Sequence, residues 1–155
     1  MSAVEVLNKA KALGVMITTA ESCTGGLIAA ALTDIAGSSA VFDRGFVTYS
    51  NDAKAKMLGV TSASLDAHGA VSEAVAAEMA EGALQNSLAQ IAISVTGIAG
   101  PGGSEHKPEG RVCFGLATPK QTLTKTIEFG ALGRENVRAK ARDAALEWVL
   151  EILNS

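Results

Sequence analysis

Residues 15–26, VMITTAESCTGG, set the framework of the fold, because an apolar run passes here directly into polar side chains and then into two glycines. The run VMITTA has the composition of a buried strand. A loop follows at residues 21–24, and the small-residue segment GGLIAAALTDIAG predicts a helix that stops at Gly37. A strand that turns through glycines into a helix is typical of an α/β fold.

The remaining segments repeat this alternation of helices and strands. A first helix is predicted to end at Gly14, and Asn51 and Ser72 are predicted to cap two helices further along the chain. The segment SAVFDRGFVTYS predicts one bent strand or two short ones, and three further strands are predicted in QIAISVTG, RVCFGLATP and TLTKTIEF. One face of a closing helix carries Val137, Ala141, Ala145, Trp148 and Ile152. The sequence therefore predicts an α/β fold over residues 1–155, a single domain with three layers and a mixed sheet covered by helices.

The composition excludes several classes of protein. The chain is 48% hydrophobic but only 4% aromatic, so its core must be built mainly from Ala, Val, Ile and Leu. A net charge of -3 does not suit a phosphate backbone, and no nucleic-acid partner is expected. No apolar run reaches the roughly 18 residues of a membrane span, so we expect a cytoplasmic protein that does not contact membranes. Cys23 and Cys113 are expected to be buried free thiols, with neither a disulfide nor a metal site.

Two loops share one pattern, in which an apolar strand runs into a hydroxyl residue and then into glycines. The first, ITTAESCTGG, contains Thr24, Gly25 and Gly26; the second, ISVTGIAGPGG, contains Thr96, Gly97 and Gly100. Ligands of open α/β sheets bind beyond the carboxyl ends of strands, where helix N-termini hold anions. We expect both loops to line one substrate pocket, although glycines that merely form turns would give the same pattern.

Neither loop is a common nucleotide fingerprint. Gly97 and Gly102 have the spacing of a P-loop, but Gly103 stands where that motif requires lysine. Glu105 likewise replaces the last glycine of a dinucleotide-binding motif. ATP hydrolysis is therefore disfavoured.

A serine nucleophile would need a base other than histidine, because the chain has two histidines and no GxSxG elbow. Ser104 and Lys107 match an SxxK pattern, but Pro108 biases Lys107 away from a helix. In GSSAVFDRGFVTYSNDAK, Ser39, Tyr49 and Lys54 could converge at the edge of the sheet, with the hydroxyl of Tyr49 beside the ammonium of Lys54. A solvated surface lysine is the plainer interpretation of Lys54.

The runs TAESCTGG, IAGSSAVFDRGFVTYSNDAK, HGAVSEAVAAEMAEGAL and VTGIAGPGGSEHKPEGRV resemble the CinA C-terminal domain family of the PncC nicotinamide-nucleotide amidase type. The likeness covers about residues 19–138. It implies hydrolysis of the carboxamide of nicotinamide mononucleotide to nicotinic acid mononucleotide and ammonia, in pyridine-nucleotide salvage. It implies neither a metal nor an organic cofactor. The chain looks like the stand-alone form of the domain.

The resemblance also implies roles for particular residues. Ser39, Tyr49 and Lys54 would form a serine–lysine catalytic group, with Ser39 ranked above Ser22 as the nucleophile. Ser22 and Thr96 would line the pocket. Arg134 would contact the substrate and, with a helix N-terminus, offer a site for the substrate phosphate.

Two other functions stay open from the sequence. The chain could be a non-catalytic nucleotide- or partner-binding module of the competence- or damage-inducible type, or an amidase for another small amide. The alanine-rich helix faces could pack in the core or against a second copy of the chain, so the sequence is also compatible with a homo-oligomer.

Overall fold

A computed structural model describes residues 2–155 of the chain. This part of the chain forms six α-helices, five strands and one short 3-10 helix at Ser38–Ala40. The helices are α1 Ser2–Leu13, α2 Leu27–Thr33, α3 Asn51–Leu58, α4 Ser62–His68, α5 Glu73–Gln85 and α6 Arg134–Leu153. The strands are β1 Ile17–Glu21, β2 Phe42–Val47, β3 Ile91–Gly97, β4 Arg111–Ala117 and β5 Thr122–Glu128.

The five strands lie in one mixed sheet in the order β2-β1-β3-β4-β5. Strands β2, β1 and β3 are parallel, whereas β4 and β5 continue the sheet in antiparallel fashion. The carboxyl ends of β1, β2 and β3 consequently meet at one edge of the sheet. In an open α/β sheet this edge is where ligands bind.

Helices cover both faces of the sheet. On one face α1, α2 and α6 pack together over a core that includes Ile17, Ile93 and Phe114. On the other face α5 packs on β3 and β4, with α3 and α4 beside it, over a smaller core that includes Met79 and Ala92. The predicted three-layer, single-domain α/β arrangement is confirmed.

Two details of the predicted elements needed correction. Helix α2 ends at Thr33 rather than at Gly37, whereas the segment SAVFDRGFVTYS forms one strand, β2, as one of the two predicted alternatives, and its pairing with β1 is irregular between Ile17 and Thr18. The hydroxyl of Ser50, not the side chain of Asn51, caps α3 by accepting the Ala53 N–H at 3.0 Å. Ser72 caps α5 as predicted, accepting the Val75 N–H at 3.2 Å.

Helix α4 was not predicted, because its seven residues give too short an apolar pattern. The signal available in the sequence was Thr61, whose hydroxyl accepts the Ser64 N–H at 3.1 Å and caps the helix. Across residues 2–155, no helix combines the length and the apolar character that a membrane crossing requires.

Candidate active site

The parallel strands bring three loops to one cavity at their carboxyl ends. Ser22 follows β1, Tyr49 follows β2 by two residues, and the loop that begins at Ile98 follows β3. Together with the start of α3 and of α6, these loops enclose a cavity of about 330 Å³. The sheet topology therefore builds the site from segments that are far apart in sequence.

A buried lysine meets a buried serine at the floor of this cavity. The Lys54 Nζ donates a hydrogen bond to Ser22 Oγ at 3.0 Å and another to the carbonyl of Tyr49 at 3.1 Å. Lys54 is only 1% exposed and Ser22 only 8%. Lys54 shares the buried face of α3 with Leu58, one helical turn further on. The plainer interpretation of Lys54 from the sequence, as a solvated surface lysine, is therefore wrong.

The environment of Lys54 favours its neutral form. Burial lowers the pKa of the ammonium below its ordinary value; a Cys23 thiolate would oppose that shift if it formed, and the Glu105 carboxylate opposes it too. Burial also raises the pKa of the Cys23 thiol to about 11, so this thiol is protonated at neutral pH. A lysine that loses its proton more readily than usual, within hydrogen-bond distance of a serine, can act as a general base.

The structure does not bring Ser39 to this cavity. Ser39 is exposed in the 3-10 helix that precedes the amino end of β2, whereas Tyr49 and Lys54 follow the carboxyl end of that strand. A six-residue strand such as β2 spans roughly 20 Å. The expected convergence of Ser39 with Tyr49 and Lys54 is therefore wrong, and Ser22 is the serine that contacts the lysine.

The hydroxyl of Tyr49 contacts the Arg134 guanidinium rather than the Lys54 ammonium. The Arg134 guanidinium donates to Tyr49 Oη at 2.6 Å and to the carbonyl of Gly100 at 2.7 Å. Lys54 contacts the backbone carbonyl of Tyr49, so the expected hydroxyl–ammonium pair is not present. Tyr49 is 59% exposed and lies at the rim, where its hydroxyl proton is available to a ligand.

Thr24, Gly25 and Gly26 lie behind the cavity wall. Among the described residues, that wall contains Ser22 and Cys23 but not these three. Thr24 and Gly26 instead hold the fully buried carboxylate of Glu21, which accepts hydrogen bonds from the Thr24 hydroxyl at 2.7 Å and the Gly26 N–H at 3.2 Å. The Gly25 N–H donates to the carbonyl of Ser22 at 3.0 Å. The expectation that they line the substrate pocket is wrong.

Glu21 also occupies the amino end of α2. Its carboxylate accepts the N–H groups of Ile28 and Ala29, both at 3.0 Å. The protein thus supplies its own anion to this helix, and the start of α2 does not offer these donors to a substrate phosphate. The same four hydrogen bonds fix the turn that carries Ser22.

We predict that Glu21→Gln destabilises the fold by about 3 kcal/mol or more, because an amide leaves buried donors without the charged acceptor. The melting temperature should fall by roughly 6–12 °C in a chain of this size. Thermal unfolding followed by circular dichroism measures the change. Glu147→Gln, an exposed substitution on α6, is the matched control and should shift the transition by less than about 2 °C.

The second glycine-containing loop lines the cavity as expected, through Thr96, Gly97 and Gly100. The Thr96 hydroxyl donates to the carbonyl of Ala70 at 2.9 Å and so holds the opposite wall. Gly97 is required because the backbone is crowded there: a Cβ would lie 2.7 Å from Val112 Cγ2 and 3.2 Å from Cys23 Sγ.

Sequence reasoning missed the site roles of two acidic residues, Glu105 and Glu109, in the long loop between β3 and β4. Glu105 lines the cavity. The Glu109 carboxylate bridges the loop to the start of α6 by accepting the Gly102 N–H at 2.7 Å and the Gly133 N–H at 3.0 Å. Lys107 donates to the carbonyls of His68 and Val71, both at 2.6 Å, which agrees with its rejection as a catalytic base. Their signal in the sequence was the length of the loop, since long ordered loops are often functional.

The fold and the cavity define an α/β protein with a buried serine–lysine pair at the carboxyl edge of a mixed sheet. A family model described as the CinA C-terminal domain matches residues 2–153. The chain belongs to this family.

Similar proteins include members of different length. The chain is 55% identical over 138 residues to the nicotinamide-nucleotide amidohydrolase PncC of Escherichia coli K12, covering 88% of this chain and 84% of that protein. It is also 55% identical over 150 residues to a CinA-like protein of Chloroherpeton thalassium, covering 94% of this chain but only 36% of that protein. The matched segment is thus nearly the whole of one relative and about a third of the other.

Solved structures show the same fold. The crystal structure of competence/damage inducible protein CihA from Agrobacterium tumefaciens superposes with a TM-score of 0.94 at 51% identity, covering 99% of this chain and 94% of that one. The competence damage-inducible protein A from Klebsiella pneumoniae gives a TM-score of 0.95 at 45% identity, with 99% and 95% covered.

Proposed function

We propose that this protein hydrolyses the carboxamide of nicotinamide mononucleotide, releasing ammonia and nicotinic acid mononucleotide. The observation that carries the proposal is the contact of the buried Lys54 Nζ with Ser22 Oγ at the floor of a cavity. The 55% identity to a nicotinamide-nucleotide amidohydrolase supports the choice of substrate. The reaction would serve the salvage of pyridine nucleotides, and the protein would act in the cytoplasm.

The first half of the reaction makes an acyl-enzyme. The neutral amine of Lys54 takes the hydroxyl proton of Ser22, and Ser22 Oγ forms a bond to the amide carbon. The carbonyl electrons move onto oxygen and give a tetrahedral oxyanion. When this intermediate collapses, the C–N bond breaks, and the Lys54 ammonium returns its proton to the leaving nitrogen, which departs as ammonia.

The second half repeats these steps with water. Lys54, neutral again, takes a proton from water as the water oxygen attacks the ester carbon. The ester bond then breaks, Ser22 Oγ recovers its proton from Lys54, and the product leaves as a carboxylic acid that ionises in solution. Both half-reactions use one base at one position, which agrees with the single buried amine beside Ser22.

Backbone N–H groups of the loop after β3 are the proposed donors to the oxyanion. In the described part of the chain, the N–H groups of Gly102 and Ser104 already donate to Glu109 and Lys107. This leaves the N–H groups of Ala99, Gly100, Gly103 and Glu105, which line the same cavity, as the candidate donors.

The direct test is the release of ammonia from nicotinamide mononucleotide by the purified protein, with nicotinic acid mononucleotide identified by mass spectrometry. Equal molar yields of the two products would establish the activity. A protein that binds the nucleotide without releasing ammonia would instead be a binding module. A protein that releases ammonia from other small amides but not from this nucleotide would be an amidase of different specificity.

Arg134 is proposed to contact the substrate phosphate, since its guanidinium lies at the cavity rim beside Tyr49. We predict that Arg134→Gln raises KM for nicotinamide mononucleotide by about 10- to 100-fold. The effect on nicotinamide riboside, which lacks the phosphate, should be smaller than threefold. Steady-state kinetics with both substrates measures the difference, and Arg142→Gln, another partly exposed arginine on α6, is the control. An equal loss on both substrates would contradict a phosphate contact.

A further inference from the structure

The cavity wall has an uneven set of charges. In the described part of the chain, the lysine, arginine and carboxylate side chains of the wall are those of Lys54, Arg134 and Glu105. Lys54 and Arg134 are the basic residues, and Lys54 carries a positive charge only when it is protonated. Glu105 therefore provides the negative charge of the wall.

Glu105 differs from the other acidic residues near the cavity, because its carboxylate has no hydrogen-bond partner in the described part of the protein. The carboxylate of Glu21 is enclosed by donors of α2, and that of Glu109 is held by the Gly102 and Gly133 N–H groups. Across residues 2–155, the structure shows neither an ion pair nor a hydrogen bond for the Glu105 carboxylate. The Lys107 ammonium also lies beside Gly69, but it donates to the carbonyls of His68 and Val71, so the Glu105 carboxylate is open to a ligand in the cavity.

The surrounding loop fixes the backbone that carries this carboxylate. Glu105 adopts a left-handed backbone conformation with φ of 50° at the tip of a tight turn. The turn is closed by two backbone hydrogen bonds between Ser104 and Lys107, of 2.9 and 2.8 Å. The carboxylate packs against Gly69, where a Cβ would stand only 2.6 Å from Glu105 Oε2. A non-glycine residue in a left-handed backbone conformation beside a cavity is a common sign of a functional constraint.

The proposed substrate brings a cation to this cavity. In nicotinamide mononucleotide the ring nitrogen carries a permanent positive charge, and the ring also bears the reactive carboxamide. An amide carbon at Ser22 Oγ therefore places the charged ring close to Lys54. Whenever Lys54 is protonated, as it is after it takes the serine proton, the two cations repel each other strongly in a partly dry site. A carboxylate in the same wall offsets this repulsion. Glu105 lines the same cavity as Ser22 and Lys54, and its charge opposes the lowering of the Lys54 pKa.

The geometry points to Glu105 as a specificity-determining residue that recognises the positive charge of the substrate's pyridinium ring. This inference rests on the proposed function and adds a recognition element to it. Each part of the substrate then has its own contact in the cavity: Arg134 binds the phosphate, Glu105 the cationic ring, and Ser22 with Lys54 the amide. Ligands with a neutral ring would bind without help from Glu105.

The test compares two ligands that differ in ring charge. Nicotinamide mononucleotide is cationic in the ring, whereas its 1,4-dihydro form has the same phosphate, ribose and carboxamide on a neutral ring. Dissociation constants are measured by calorimetry in a Ser22→Ala background, which prevents turnover. Adding Glu105→Gln should weaken binding of the cationic form about tenfold and change binding of the dihydro form less than twofold.

Asp66→Asn in the same background is the matched control, since Asp66 is an exposed acid on α4 outside the cavity wall. It should leave both dissociation constants unchanged. Glu105→Asp keeps the charge and should retain part of the preference for the cationic ring. Equal weakening of both ligands by Glu105→Gln, or no weakening of either, would overturn the inference.

Failure of the proposed function gives a different result. If the wild-type protein neither binds nor hydrolyses nicotinamide mononucleotide, the function is wrong. The ring-charge inference is then decided by 1-methylnicotinamide, a bare cationic ring, against neutral nicotinamide. A preference for the cation that Glu105→Gln removes would support the inference, and the lack of such a preference would overturn it.

Discussion

Lys54→Met should lower kcat for ammonia release by at least about 10³-fold while the protein stays folded. A general base contributes roughly 10²- to 10⁴-fold, and this variant removes the buried Lys54 amine, which contacts Ser22. Methionine matches the length of the buried stem without its charge. Initial rates of ammonia release measure the loss, and circular dichroism checks the fold.

Lys56→Met is the matched control for this substitution. Lys56 lies on the same helix, but its side chain is 76% exposed and forms a surface ion pair of 3.4 Å with Asp52. Activity should therefore stay within twofold of wild type. A Lys54→Met protein with more than a tenth of wild-type activity would show that another group takes the serine proton.

The same lysine gives the activity a predictable dependence on pH. The base must be neutral, so kcat/KM should rise as the pH increases through the Lys54 pKa. Burial lowers that pKa, so the rise should be centred below the ordinary value for lysine.

In the pH range between the folded and unfolded pKa values the unfolded chain binds more protons, so folding stability also rises with pH there. At a pH below the Lys54 pKa of the folded protein, the buried ammonium lowers the folding stability by its full amount. Lys54→Met removes this loss of stability.

Much of the fold was predictable because its signals are local. The run VMITTA, the glycines after Thr24 and the hydroxyl cap at Ser72 each act within a few residues, and each appears in the structure as expected. The boundary residue of α3 was missed because Ser50 and Asn51 are both good caps, and only the backbone conformation selects between them.

The site was predicted only in part because its contacts are not local. Lys54 reaches Ser22 across 32 positions of sequence, and Arg134 reaches Tyr49 across 85. These contacts form because β1 lies between β2 and β3 in the sheet, and the order of strands in a sheet cannot be predicted from their composition. The grouping of Ser39 with Lys54 assumed that nearness in sequence means nearness in space, but a whole strand separates them.

The glycine turn after β1 shows a second reason for error. Gly25 and Gly26 precede a helix, a pattern that elsewhere cradles an external anion. Here Glu21, the last residue of β1, folds its carboxylate back onto the same N–H groups. Local composition predicts that an anion binds at this turn, but the tertiary structure decides whether it comes from the protein or from a ligand.

Ser22→Ala should abolish the activity, with a loss of at least about 10⁴-fold, because the nucleophile has no substitute in the acyl-enzyme route. Ser39→Ala should keep at least half of the wild-type rate, since this serine is exposed at the opposite end of β2. The pair of variants also answers which serine becomes acylated. Rapid acid quenching during turnover, followed by mass spectrometry, should find the nicotinoyl mononucleotide group on the peptide that holds Ser22.

The digestion must separate the two serines, because no lysine or arginine lies between Lys11 and Arg44 and trypsin leaves both on one peptide. Cleavage at Asp34 divides them. An adduct on the Ser22 side, absent from Ser22→Ala, would support the acyl-enzyme. An adduct on the Ser39 side would contradict it. A normal rate in Ser22→Ala would mean that water, activated by Lys54, attacks the amide directly, since the buried amine beside position 22 would still be in place.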